Sequence, residues 1–341
     1  MPNTRSEHPA VPAHASGTPL LPALACRALA GAVSLSPLRT RLSILIYHRV
    51  LPKADPLFPA EVDAARFDQQ LRFLKQAFNI IPLRQAVEGL RSGALPPRAA
   101  CITFDDGYAD NADVALPILK RHGVRATFFV ATGFLNGGRM WNDTVIELIR
   151  RAPDRIDLDA LGLGRFKLDT LPNRQAAIGT LLNALKYLPI EARQAQVDRM
   201  GAVIGVRAPD DLMMSDDQVR LLHRAGMEIG GHTVNHPIVA RMDSAAARTE
   251  IADGKARLEQ IIGEPIRTFA YPNGKPGQDY MAEHVTMVKQ LGFESAVCTA
   301  WGAARPGADL FQLPRFTPWD RSQLPFTLRL MRNLFRSGQI V

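Results

Sequence analysis

Between residues 42 and 299 short apolar runs alternate with segments whose apolar residues recur every three or four positions. The runs cover 43–48 (SILIYH), 78–81, 100–105 (ACITFD), 126–131 (ATFFVA), 228–232 (EIGGH), 267–271 (RTFAY) and 295–299 (SAVCT). Unbroken apolar runs of this length suit strands covered on both faces, as in a parallel sheet. Helical spacing fills 65–76 and 112–122, the latter stopped by Gly123. Ser215-Asp216-Asp217-Gln218 has the form of a capping box, opening a helix to Ala225 with Gly226 as its stop. Repeated strand–helix units on seven strands predict an α/β protein, either a barrel or an open sheet.

Three stretches depart from this rhythm. Residues 136–213, between the fourth and fifth strands, carry helical spacing at 178–188 and 192–204 and no strand pattern. They read as a helical insertion on the barrel rather than a separate domain. Residues 1–40 hold six prolines, eight alanines and one acid, Glu7, and are expected to be a partly disordered tail. Within it Arg27 separates two apolar stretches, 20–26 and 28–33, which favours a short surface helix over a cleaved signal with an unbroken core. At the other end, 321–341 reads as a basic amphipathic helix, with Arg329, Arg332 and Arg336 on one face and Phe326, Leu330 and Leu334 on another. Such a helix packs on its own barrel, which occupies 41–320, or lies on an anionic membrane surface.

Composition narrows the class. Of the 341 residues, 46% are hydrophobic and 22% charged, ordinary globular usage that argues against disorder of the whole chain. No apolar run approaches the length of a membrane-spanning helix. Cys26, Cys101 and Cys298 lie too far apart for a disulfide scaffold or a zinc ribbon. The net charge of +8 is dispersed and comes with no nucleic-acid-binding signature, so no nucleic-acid partner is expected. Without an export signal, a cytoplasmic or membrane-peripheral location is expected, with secretion left open. The oligomeric state is not specified.

Three segments at strand ends carry candidate chemistry, and strand ends are where barrels and open parallel sheets bind ligands. In Thr103-Phe104-Asp105-Asp106-Gly107-Tyr108, adjacent carboxyls on a regular strand would face opposite ways, but Gly107 lets the chain turn so that both reach one site. A turn or a helix N-cap would use the same residues. In Gly230-Gly231-His232-Thr233-Val234-Asn235-His236-Pro237, two histidines four apart can face one metal ion. No Glu follows His232, and Pro237 disfavours helical geometry at His236, so this is not a zincin helix. His48 ends the first strand and taken alone is structural. Together, one Asp and the two His make a three-ligand set with positions open to water and substrate. A divalent ion lowers the pKa of its water from 15.7 to about 7. The second Asp can accept the water's proton, and a protonated His48 can donate to a leaving nitrogen, which suits hydrolysis of an amide or ester.

With these motifs, residues 42–318 resemble the polysaccharide deacetylase family, also known as the NodB-homology or carbohydrate esterase 4 family. TFDDG (103–107) matches its first motif, which implies that Asp105 is the base and Asp106 a metal ligand. HTVNHP (232–237) matches its second, which implies metal ligation by His232 and His236. Phe269-Ala270-Tyr271-Pro272-Asn273-Gly274 stands where the family has its groove motif. IYHRV (46–50) is similar to an early segment of the subgroup acting on poly-N-acetylglucosamine, circularly permuted so that the acid histidine comes early, which assigns that role to His48. The resemblance implies a distorted seven-stranded (β/α) barrel that binds one divalent ion, zinc first, with cobalt, nickel or iron admitted by the same ligands. It implies a hydrolase removing acetyl from N-acetylated amino sugars of a polysaccharide, an oligosaccharide or a precursor. A weakly catalytic carbohydrate-binding protein and an amidase or esterase of small acyl substrates are the alternatives. The chain departs from the family at Ala270, where an Arg normally positions the base, and at Asn273, where a Tyr is usual. Arg315 is the candidate substitute for the Arg, with a surface salt bridge as its other reading. The backbone N–H of Asn273 remains available to an oxyanion. Trp141-Asn142-Asp143 either lines the sugar groove or opens the inserted helical region.

Overall fold

The computed structural model describes residues 40–318 and 320–341. The tail expected over 1–40, except Thr40, and the short helix expected within it lie outside the described residues. Nine strands occur among the described residues: β1 (Leu42–Tyr47), β2 (Asn79–Ile80), β3 (Ala99–Phe104), β4 (Thr127–Val130), β5 (Arg155–Asp157), β6 (Arg165–Lys167), β7 (Glu228–Gly231), β8 (Thr268–Ala270) and β9 (Ser295–Val297). Seven of them form one parallel sheet in the order β1-β3-β4-β7-β8-β9, with β2 on β3. These are the seven runs read from the sequence. Every residue of β1, β3, β4 and β8 is buried, as two covered faces require. β2 pairs with β3 at Ala99 and Ala100, and β4 pairs with it at Thr103 and Phe104, so the two share the edge that β1 leaves.

The sheet curls, and its seam is closed by a segment that is not itself a regular strand. Leu313 bridges to Val297 of β9, and Phe316 bridges to Leu45 of β1. The Cys298 N–H donates to the Leu313 carbonyl at 2.9 Å, and the Phe316 N–H to the Ile44 carbonyl at 2.7 Å. The result is a distorted (β/α) barrel.

Helices α1 (Ala64–Ala77), α2 (Leu83–Ser92) and α3 (Leu116–His122) cover the first strands. The helix expected over 112–122 begins as a π-helical turn, Asn111–Ala115, before α3. Pro117 has no N–H to give the preceding turn, which accounts for the wider start. The insertion holds α4 (Trp141–Arg151), α5 (Leu171–Leu185) and α6 (Ile190–Ile204) around a separate apolar cluster that includes Val145, Leu181, Val197 and Met200. It also contains the antiparallel hairpin β5–β6, which corrects the expectation of a stretch without strands. Each of those strands is three residues long and only Ile156 is buried, so neither leaves a run or an alternation to read.

α7 (Asp216–Arg224) opens on the expected capping box, Ser215 with Gln218. α8 (Ser244–Ile262) and α9 (Ala282–Gln290) follow, and α10 (Gln323–Asn333) ends the fold. Phe326, Leu330 and Leu334 of this last segment are buried in the main core, with Phe326 against Phe73 of α1. Its apolar face is therefore spent on the barrel. No helix among the described residues is long and apolar enough to cross a membrane.

Candidate active site

At the C-terminal end of β3 the Asp105 N–H still donates to the Tyr47 carbonyl of β1, at 2.9 Å. The chain then breaks register. Asp106 takes a left-handed backbone, φ +77°, and Gly107 follows at +91°. A Cβ on Gly107 would stand 2.9 Å from Val130 Cγ1, so the turn demands glycine for space as well as conformation. This turn brings two neighbouring carboxyls to one place.

The histidine segment leaves β7 beside it. His232 Nδ1 is 2.7 Å from the Ala270 carbonyl, a contact that assigns the N–H to that nitrogen and leaves the Nε2 lone pair facing the site. His232 Nε2 and His236 Nε2 each lie 3.4 Å from Asp106 Oδ1. Thr233 and His236 are left-handed, φ +65° and +52°. Such a backbone is rare for a β-branched residue and persists only where its surroundings enforce it. Here Glu250 of α8 accepts from the Val234 and Asn235 N–H groups at 3.0 and 2.8 Å, and from Asn235 Nδ2 at 2.7 Å. One turn further along α8, a Cβ on Gly254 would come within 2.8 Å of the Thr233 carbonyl. Gly254→Ala is therefore expected to cost about 1–3 kcal/mol, read by thermal unfolding, and to weaken metal retention. Unchanged metal retention would show that α8 does not hold the loop in register.

The three groups fit a metal ion. Asp106, His232 and His236 present ligand atoms within 4.8 Å of one another. Around a tetrahedral ion with bonds of about 2.0–2.1 Å, neighbouring ligand atoms stand about 3.3 Å apart, close to the two 3.4 Å separations found. Asp106 Oδ1, the atom both imidazoles face, is buried with no hydrogen-bond donor. An unpartnered buried acceptor is costly, and a cation there would satisfy it. Burial opposes ionisation of Asp106, yet the neighbouring imidazoles hold its carboxyl well below the usual range. Burial pushes His236 down to about 4, which leaves it neutral and able to ligate.

Asp105 has a different partner. Arg315, in the seam segment, meets it with both arms: Nη1 to Oδ1 at 2.6 Å and Nη2 to Oδ2 at 2.7 Å. Nε of the same guanidinium donates to the Cys298 carbonyl at 3.0 Å, and Nη1 also reaches Thr103 Oγ1 at 3.2 Å. Arg315 is 1% exposed and Asp105 3%, so this is a buried ion pair and not a surface salt bridge. Burial pushes the Asp105 carboxyl up, and Arg315 with His232 outweighs it, leaving the group below its ordinary range and ionised.

His48 follows β1, is exposed, and lines a cleft of about 320 Å³ together with Asp106, Tyr108, Asn142 and Asp143. Asn273 is on the loop after β8, at the same end of the sheet, left-handed at φ +58° and exposed. Its carbonyl accepts from Thr299 Oγ1 at 2.7 Å. Trp141 opens α4 and sits under the Arg193 guanidinium, 4.8 Å from its ring centre, on the insertion's own cluster. Within that tripeptide, Asn142 and Asp143 line the cleft, and Trp141 does not. A larger cavity of about 460 Å³, lined by Arg84, Arg125, Glu228 and Arg267, contains none of these groups.

Sequence reasoning did not find Glu250, Tyr108 or the Ala270 carbonyl. Glu250 and the carbonyl leave no local signal. Tyr108 stood one residue past the TFDDG segment and was unassigned.

Comparison with known proteins identifies the family. The polysaccharide deacetylase family model matches residues 92–156 and 180–296, more than half of the chain, and skips most of the inserted hairpin. A poly-beta-1,6-N-acetyl-D-glucosamine N-deacetylase of Staphylococcus aureus is 25% identical over 185 residues, 50% of this chain and 60% of that protein. The chain therefore matches less than two thirds of that enzyme's length. Among solved structures, the Streptococcus pyogenes deacetylase PplD in complex with acetate superposes with a TM-score of 0.57 at 21% identity, covering 85% of this chain and 98% of that one. IcaB from Ammonifex degensii gives 0.55 at 21% identity, covering 86% and 97%. At such identities the superpositions speak for the fold, and the family match speaks for descent. The turn at Asp106 and the loop from His232 to His236 both lie inside the matched segments, and the chain belongs to the polysaccharide deacetylase family.

Proposed function

We propose that the protein is a metal-dependent hydrolase that removes acetyl groups from N-acetylated amino sugars of a polysaccharide or its precursor. The observation that carries this reading is the juxtaposition, at one end of the barrel, of a three-ligand set with an ionised carboxylate that is not part of it. Asp106, His232 and His236 would hold the ion, zinc in the first instance. When bound, the ion supplies Lewis acidity and makes water acidic enough to react near neutral pH. Asp105, kept ionised by Arg315, accepts the proton of the attacking water. His48, at the mouth of the cleft, gives a proton to the departing nitrogen. The Asn273 N–H is a donor for the oxyanion. The naming of the Staphylococcus aureus relative supports an amino-sugar polymer as the substrate class.

The test is metal content per chain and acetate release from N-acetylglucosamine oligomers, for the wild type and His232→Ala. About one ion per chain in the wild type, little in the variant, and acetate released only by the former is the expected result. If neither protein takes up zinc or cobalt, the hydrolytic reading falls and a carbohydrate-binding role takes its place.

A further inference from the structure

The buried acids around the cleft each face a basic side chain within 4 Å, with one exception. Asp105 has Arg315 at 2.6 Å, and Asp110 has Arg49 at 2.8 Å. Glu147 has Arg150 at 3.1 Å, and Asp106 faces two imidazoles. Asp143 is 5% exposed and has no ion pair within 4 Å among the described residues. Among the described residues its one hydrogen-bond donor is the Tyr108 hydroxyl, shared between its oxygens at 3.1 and 3.3 Å. A carboxylate can accept about four hydrogen bonds, so most of its capacity is unused. It is not spent on capping α4 either, since that helix start has no side-chain cap. Burial pushes the carboxyl up to about 7, against the opposing pull of the Arg49 charge and the Tyr108 hydroxyl. Tyr108, in turn, is pinned by the Arg49 guanidinium 4.8 Å over its ring, and lies two residues from Asp106. The protein therefore holds an under-used acceptor at a fixed place in the wall of the cleft that contains Asp106 and His48.

We propose that Asp143 is a specificity-determining residue that accepts a hydrogen bond from a hydroxyl of the amino sugar whose acetamido group is hydrolysed. The proposal rests on the deacetylase reading above. A pyranose offers hydroxyl donors next to its acetamido group, and a simple acyl ester offers none. A site built to accept from a hydroxyl discriminates strongly against substrates that lack it, because its acceptor is then left unpaired.

The experiment compares wild type, Asp143→Ala and the isosteric Asp143→Asn on two probes, an N-acetylglucosamine oligosaccharide and 4-methylumbelliferyl acetate, with metal content measured in each. The ratio of kcat/KM for the sugar to kcat/KM for the ester is expected to fall about 10- to 100-fold in Asp143→Ala, and less in Asp143→Asn, which keeps one acceptor oxygen. Metal should stay near one ion per chain. Arg49 keeps its ion pair with Asp110 in both variants, so both should fold. An unchanged ratio, whether both activities fall together or neither moves, overturns the assignment of Asp143 while leaving the deacetylase reading intact. Ester hydrolysis by the wild type with no acetate released from any acetylated sugar overturns both.

Discussion

Asp105→Asn is expected to lower turnover about 10²- to 10⁴-fold, the usual loss when a general base is removed, while the chain keeps about one metal ion. The ligand set explains the second half: Asp106, His232 and His236 do not include Asp105. The structure adds a cost that the motif alone does not show. The Arg315 guanidinium, 1% exposed, would keep its charge and lose its carboxylate. Stranding one partner of a buried pair typically costs about 3–5 kcal/mol, so the variant should unfold well below the wild-type temperature. Near wild-type acetate release would remove Asp105 from the role of base.

Arg315→Met is expected to damage both stability and the pH profile. In the wild type the folded Asp105 carboxyl lies below its ordinary range. Its stabilising contribution is therefore present above that range and is lost only as pH falls through the depressed value. Without Arg315, burial dominates and the folded carboxyl rises above its unfolded value. Stability is then greatest in acid and declines as pH rises through the new, higher pKa. The stability gap between variant and wild type should narrow from about pH 8 to about pH 5 in urea titrations, and the acid limb of the activity profile should move to higher pH. The double variant Asp105→Asn with Arg315→Met should recover much of the lost stability and none of the activity, because neither charge is then stranded. A gap independent of pH, or a double variant no more stable than the singles predict by addition, would contradict the pair's electrostatic role.

The strands were legible because β1, β3, β4 and β8 are covered on both faces, which forces an unbroken apolar run such as 100–105. The Asp and His segments were legible because the residues that converge are close in sequence. Partners joined by the fold alone were not. Asp105 and Arg315 are 210 positions apart, and only the absence of an expected Arg at Ala270 drew attention to the latter. Nothing in the local pattern marks Glu250 as the brace of the histidine loop, since its neighbours on α8 read as any amphipathic helix. In Trp141-Asn142-Asp143 the aromatic drew the eye, yet the acid faces the cleft. The β5–β6 hairpin escaped because three-residue strands with exposed ends carry too little pattern.

The seam between β9 and β1 bears on how the chain becomes competent during synthesis. Asp105 emerges from the ribosome some two hundred residues before the segment that carries Arg315. Until that segment emerges, β1 and β9 are open edges able to pair with other chains. Over the same interval the carboxylate at the end of β3 lacks the cation that makes its burial tolerable. Nascent or nicked chains ending before Leu313 should therefore be both sticky and inactive. Closing the seam and pairing Asp105 with Arg315 are one event, so the proposed base is in place only once the barrel has closed.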